Sequence, residues 1–185
     1  MFIRTERLFL RPGWPEDLEE LLQVLGDDAV VRGIGVAPLP RSVDELREFL
    51  ARRRDRRLPH FFINLRDDNG ARLIGGIGLG RSGEDVEMGY WIARPFRGQG
   101  YAVEAVKAVL AEARMLGHKQ VIAAHFADNE ASARVLERAG FKATGETSMR
   151  YSAGRGGEAP ARLFVAMLSD KQYDLMGVGP QPAGA

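Results

Sequence analysis

Apolar and polar positions along this chain follow two periods in turn, and the switches between them mark out its elements. Arg7 to Arg11 (Arg-Leu-Phe-Leu-Arg) reads as a first strand, stopped by Pro12-Gly13. A helix follows from Pro15 to about Leu25. Pro15 opens it, Glu16 and Asp17 occupy its first turn, and Leu18, Leu21, Leu22 and Leu25 form its apolar stripe. Gly33 to Pro40 is irregular and reads as a mobile loop. A second helix is predicted from Ser42, with Glu45 three positions on as a capping box, to about Arg54; Leu46, Phe49 and Leu50 face inward. Three strands come next, at Phe61–Leu65, Arg72–Leu79 and Val86–Ile92, divided by turns at Asp67-Asp68-Asn69-Gly70 and Ser82-Gly83. Val103, Val106, Leu110 and Ala113 then recur at helical spacing in a long helix that Gly117 ends. Val121–Phe126 is another strand, and Asn129–Ala139 a short helix closed by Gly140. Two last strands lie at about Phe141–Tyr151 and Arg162–Leu168. The order is β-α-α-β-β-β-α-β-α-β-β. Short turns make the early strands antiparallel, whereas the strand–helix–strand unit pairs in parallel. The expectation is an α/β fold: a mixed, mostly antiparallel central sheet flanked by helices on both faces.

Between the Val86–Ile92 strand and the long helix stands Arg97-Gly98-Gln99-Gly100-Tyr101-Ala102. The free N–H groups and positive dipole end of a helix N-terminus attract anions, and two glycines let an anion approach the backbone closely. This run reads as a pyrophosphate cradle and points to a phosphorylated cofactor. It lacks the Gly-Lys-Ser/Thr ending of a P-loop, and no acidic residue follows in the dinucleotide pattern.

Composition narrows the partners. The 185 residues are 45% hydrophobic and 28% charged with a net charge of +1, so no bulk electrostatic partner such as nucleic acid or an anionic membrane is indicated. The local run Arg52-Arg53-Arg54-Asp55-Arg56-Arg57 reads as a solvated helix end, with a patch for nucleic acid or an acidic partner as the alternative. There is no cysteine, which removes disulfides, thiolate metal sites and cysteine nucleophiles. No apolar stretch is long enough to span a bilayer and the N-terminus is too polar for a signal peptide, so the cytoplasm is the expected location. One domain is expected over residues 1–176, with a Gly/Pro/Ala-rich disordered tail over 177–185.

Four blocks carry a family resemblance. Arg97, Gly100 and Ala102 fall on the Arg/Gln-x-x-Gly-x-Gly/Ala motif of the GNAT acetyltransferase superfamily. Thr5-Glu6-Arg7-Leu8-Phe9-Leu10-Arg11-Pro12 resembles the start of the RimJ/RimL type, the ribosomal-protein N-terminal acetyltransferases. Glu87-Met88-Gly89-Tyr90-Trp91-Ile92 is similar to the central strand of that group, and Asp128 to Phe141 to its Asn-x-x-Ser…Gly-Phe helix. The resemblance covers Thr5 to Leu168. It implies acetyl-CoA as donor and a primary amine as acceptor, either a protein N-terminus or a small amine. It also implies a fold in which the central strand and the Val121–Phe126 strand splay apart around the pantetheine arm.

On this resemblance, main-chain N–H groups of Arg97, Gly98, Gln99, Gly100, Tyr101 and Ala102 hold the pyrophosphate. The main chain of Trp91, Ile92 and Ala93 bonds the pantetheine, with the Ile92 N–H a candidate oxyanion donor. Arg97 could pair with a phosphate or with a nearby carboxylate. Glu87, on the strand face shared with Gly89 and Trp91, is the candidate general base, or an exposed or salt-bridged strand glutamate. Asn129 is a helix N-cap that the family also places near the pantetheine or acceptor. Ser132 is the candidate proton donor to the thiolate, or a helix-surface serine. Many family members carry a tyrosine four residues before the helix-ending glycine, where this chain has Leu136. His125 reads as a structural strand histidine, with a base or acceptor role as the alternative, and His60 and His118 as surface or turn residues. No His/Asp/Glu spacing suggests a metal site. The four glycines between Ala71 and Gly80 suggest a bulge beside the cofactor cleft. A non-catalytic acyl-CoA-binding module and a longer acyl donor are the alternatives, and the exposed last strands suggest a homodimer.

Overall fold

The computed structural model describes residues 1–26, 42–52, 55–67 and 70–168. The Gly33–Pro40 loop, the tip of the Asp67–Gly70 turn, Arg53, Arg54 and the 177–185 tail lie outside the described residues. Eight strands form one sheet: β1 (Ile3–Arg4), β2 (Leu8–Arg11), β3 (His60–Asp67), β4 (Gly70–Ser82), β5 (Asp85–Ile92), β6 (Gln120–Phe126), β7 (Lys142–Ser152) and β8 (Gly157–Met167), in the order β1-β2-β3-β4-β5-β6-β8-β7. Every neighbouring pair is antiparallel except β5–β6, as the strand–helix–strand unit requires. Four described α-helices accompany it: α1 (Leu18–Leu25), α2 (Val43–Ala51), α3 (Tyr101–Met115) and α4 (Glu130–Ala139). The two-residue β1 was not predicted, being too short to show any alternation. The second helix stops at Ala51, short of Arg54, and β8 starts at Gly157, well before Arg162.

The sheet divides the core by parity. Leu8, Leu10, Phe61, Ile63, Ile77, Met88 and Ile92 point to one face, where they meet Val106, Val109 and Leu110 of α3 and Leu136 of α4. Phe62 and Leu73 point to the other, under Leu21 of α1 and Leu46 and Leu50 of α2, with Trp91 packed alongside. Leu136 is wholly buried, so the position that carries a tyrosine in many family members serves the core here.

Asp17 does more than complement a helix dipole. A short 3-10 turn (Pro15–Asp17) precedes α1, and both Asp17 carboxylate oxygens accept from Arg11 of β2, at 2.6 and 2.7 Å. The Trp14 N–H donates to the same carboxylate at 2.7 Å. Burial alone would raise the Asp17 pKa, but the Arg11 and Trp14 bonds outweigh it and hold the carboxyl below its usual range.

Ser42 caps α2 by accepting from the Glu45 N–H at 3.1 Å. Asn129 caps α4 by accepting from the Ser132 N–H at 3.2 Å, and Gly140 ends α4 in the left-handed conformation at φ 103°.

Two outcomes test this core. Leu136→Ala should cost about 2–5 kcal/mol of unfolding free energy, read by denaturant titration. Asp17→Asn should cost about 3 kcal/mol at neutral pH, because it strands a largely buried Arg11. Since the folded-state Asp17 pKa is depressed, its contribution is present above the unfolded carboxylate pKa and fades as pH falls through the lower folded value. The stability gap between wild type and Asp17→Asn should therefore narrow in acid.

Candidate active site

The site begins where β5 and β6 part. The two strands are in register only at Glu87↔Ile122 and Met88↔Ala123, yet β5 runs on to Ile92 and β6 to Phe126. Each strand follows its other neighbour. β5 stays in register with β4 through Ile92↔Gly75, and β6 with β8 through Phe126↔Ala161. The Ala93 N–H donates to the Ile74 carbonyl at 2.8 Å, fastening the end of β5 to β4. Ile74 is the residue skipped where the β3–β4 register shifts, so the expected bulge is there, beside the gap.

Ala93 thus spends its N–H on the sheet, and Trp91, in register with Gly76 and of the same parity, turns its main chain to β4. By the alternation of an antiparallel strand, Tyr90 and Ile92 turn their main-chain groups the opposite way, toward the gap. Of the three residues expected to bond the pantetheine, only Ile92 therefore faces the gap. The Ile92 carbonyl accepts from Arg97 Nε at 2.8 Å, so Arg97 helps to fix the end of β5.

Past the gap the chain makes a 3-10 turn (Arg94–Phe96) and enters the glycine bend. Gly98 and Gly100 have φ of 76° and 85°, and Gly100 is the N-cap of α3. A Cβ at Gly98 would meet nothing within 4 Å, so the bend is open on that side. Among the described residues, the N–H groups of Gly98, Gln99, Gly100, Tyr101, Ala102 and Val103 have no internal partner. Six free donors at the start of a 15-residue helix make an anion cradle, and the bend fits a diphosphate.

A strut from the N-terminal segment holds this bend. Arg7 donates through Nη1 to the Gln99 carbonyl at 2.9 Å and through Nε to Glu104 at 2.7 Å. Glu104 also accepts from Thr5 Oγ1 at 2.6 Å and from the Arg7 N–H at 2.9 Å. Burial would raise the Glu104 pKa, but the Thr5 and Arg7 bonds together hold it below the usual carboxylate range. The guanidinium of Arg7 lies 4.6 Å from the centre of the Tyr101 ring.

The predicted catalytic residues fall on opposite faces of β5. Glu87 shares the α1/α2 face with Gly89 and Trp91, as its parity required. It is ion-paired: Arg150 of β7 places Nη1 at 2.6 and 2.9 Å from its two oxygens. Ser132 lies on the α3/α4 face, where its hydroxyl is 2.7 Å from the Tyr90 hydroxyl. Tyr90 also donates to the Ser132 carbonyl at 3.2 Å. Burial pushes the Tyr90 phenol up to about 12, against the lowering effect of the Ser132 bond, so it stays protonated at neutral pH. Asn129, the cap of α4, sits one turn before Ser132.

Sequence reasoning missed Tyr90, Arg150, Arg7 and Glu104. Tyr90 carried a signal, since its even parity on β5 aims it at the helix that bears Ser132. Arg150 carried none, because β7 is separated from β5 by two strands in the sheet. His125 is buried, with Nδ1 2.8 Å from the Phe126 carbonyl and Nε2 without a partner among the described residues. His60 is half-buried: it stands on β3 between Phe49 and Phe62, edge to face with both rings. No group of metal-ligating side chains occurs among the described residues.

Known proteins share this architecture. Residues 7–142 match the Acetyltransferase (GNAT) domain. An uncharacterized N-acetyltransferase of Bacillus subtilis, YoaA, is 30% identical over 150 residues, covering 77% of this chain and 84% of that protein. A GNAT-family acetyltransferase from Bacillus anthracis superposes with a TM-score of 0.74 at 22% identity, over 91% of this chain and 99% of that one. RimL, a ribosomal L7/L12 α-N-protein acetyltransferase solved with coenzyme A, superposes with a TM-score of 0.71 at 18% identity, over 90% and 98% of the two chains. The chain belongs to the GNAT acetyltransferase family and is an N-acetyltransferase whose acyl donor is acetyl-CoA.

Proposed function

We propose that the acceptor is a primary amine, on a protein N-terminus or a small molecule, acetylated by direct attack while donor and acceptor are bound together. Acetyl-CoA supplies the activated thioester; the residues of this chain bind, orient and move protons. The N–H groups from Gly98 to Val103 hold the diphosphate, and Tyr90 and Ile92 offer main-chain groups to the pantetheine arm along the gap. The Ile92 N–H is the candidate oxyanion donor. Glu87 takes the proton of the acceptor amine, directly or through water. Ser132 passes a proton to the departing sulfur, with the Tyr90 hydroxyl as its partner. Asn129 fixes the turn that carries Ser132.

The observation that carries this reading is the coincidence of six free N–H groups with the β5–β6 gap beside them. A resemblance to the RimJ/RimL type supports a protein N-terminus among the acceptors, through the Thr5–Pro12 and Asp128–Phe141 blocks. An α-amine loses its proton near pH ~8 and needs little help from a base, whereas a lysine amine near ~10.4 needs more.

Calorimetry should show one coenzyme A bound per chain, and Gly98→Val should weaken that binding about tenfold or more, because a β-branched residue resists positive φ and closes the bend. Glu87→Gln should lower turnover about tenfold or more near neutral pH with coenzyme A affinity unchanged, measured by thiol release over an amine panel. Unchanged turnover would remove Glu87 from the chemistry.

A further inference from the structure

The Glu87–Arg150 pair lies over a floor without side chains. Gly80 stands opposite Glu87 on β4, and Gly89 lies two residues along β5 on the same face. A Cβ added at either would meet no atom within 4 Å. Both are exposed, although they lie in central strands. Farther along, the His60 ring fills the space over Gly78 and the Trp91 indole that over Gly76, so the trough ends there. Glu87 and Arg150 are themselves only 12% and 17% exposed.

Arg150 reaches this place by an unusual route. The β7–β8 register shifts between Ala143 and Thr147, and Gly145 takes φ of 85°. The arm beyond this irregularity brings Arg150 back to a residue on β5, past the two strands that lie between. Both oxygens of Glu87 are engaged by Nη1, whereas Nη2 has no hydrogen bond among the described residues.

While the pair is closed, the guanidinium lies against both oxygens of Glu87 and stands where a substrate ammonium would approach them. An incoming anion would change that. We infer that Arg150 is the anion-recognising residue of the acceptor site, and that the acceptor is an amine with a carboxylate or phosphate within a few bonds of its nitrogen. The anion takes over the guanidinium, replacing Glu87 as its partner. Glu87, released beside the amine, then receives the ammonium proton. A neutral amine leaves the pair closed and the base occupied. Because the two partners touch, amine and anion must be close together, as in an α- or β-amino acid or a peptide N-terminus followed by an acidic residue. This inference rests on the amine-acetyltransferase reading above, with Glu87 as base.

The test uses matched acceptors with the full chain at fixed ionic strength. Alanine and glutamate are compared with alaninamide and ethylamine, and a peptide with Asp at its second position with its Asn counterpart. Thiol release should favour the anionic member of each pair by about tenfold or more in kcat/KM, through KM because the anion binds Arg150 and through kcat because it frees Glu87. Arg150→Gln should abolish the preference, Arg150→Lys should restore part of it, and coenzyme A affinity should hold in both. Preference in the amino-acid pairs alone identifies a small-molecule acceptor, and preference in the peptide pair a protein N-terminus; either supports the inference. Neutral amines acetylated as well as their anionic partners would overturn it and leave the acetyltransferase reading standing. A second arm needs no turnover. Glutamate should raise the melting midpoint of the coenzyme A-saturated wild type more than alaninamide does, and should lose that advantage in Arg150→Gln. Equal shifts by glutamate and alaninamide in the wild type, or an advantage that persists in Arg150→Gln, would also overturn the inference.

Discussion

Among the described residues, two positions of parallel register, Glu87 with Ile122 and Met88 with Ala123, are all the strand pairing between the halves of this sheet. Five strands lie on one side of it and three on the other. So short a joint would be weak alone. It is braced on one face by α3 and α4, whose side chains share a core with Leu79 and Met88 from one half and Val121, Ala123 and Phe164 from the other. Burying that surface at about 25 cal/mol per Å² is what lets the strands separate beyond Met88 without the sheet coming apart. The gap is therefore a consequence of where the packing is strong. The helices hold the halves together low on the strands, and the main chain is left available above.

The braced face and the open face have different chemistry. The face of α3 and α4 holds the glycine bend, Ser132 and Tyr90, the groups suited to a phosphorylated carrier and its departing sulfur. The face of α1 and α2 holds Glu87, Arg150 and the glycine-floored trough, which suit an amine. The gap opens between these two faces. Parity along β5 does this sorting: Glu87, Gly89 and Trp91 go one way and Met88, Tyr90 and Ile92 the other.

Most of this was legible in the sequence, for local reasons. The succession of elements from β2 onward, the α3 start after the glycine run, the Ser42 and Asn129 caps and the parity of Glu87 follow from turn chemistry, capping and side-chain period, which act over a few residues. What the sequence withheld was set by distant contacts. Arg150 meets Glu87 across 63 positions, and Arg7 meets Glu104 across 97. Asp17 looked like a dipole-complementing acid in a first turn because its partner lies on a neighbouring strand, not on its own helix. Leu136 is instructive in another way. Its identity showed that the usual tyrosine was missing, but only the packing shows a phenol of β5, Tyr90, at 2.7 Å from the serine hydroxyl on α4.

The glycines of β4 connect stability to function. A glycine inside a strand costs roughly 0.5–1 kcal/mol relative to alanine, and four of them lie between Gly75 and Gly80. Three are demanded by the fold as built. A Cβ at Gly75 would strike the Trp91 carbonyl, one at Gly76 would lie 2.6 Å from the Trp91 indole nitrogen, and one at Gly78 would lie 2.5 Å from the His60 ring. Their large neighbours use the space. Gly80 is different, since nothing occupies the volume its side chain would fill. Neither packing nor a positive φ calls for glycine there, and the residue opposite it is Glu87. A strand that gives up stability at that position, directly across from the candidate base, keeps clear the volume in which we place the acceptor.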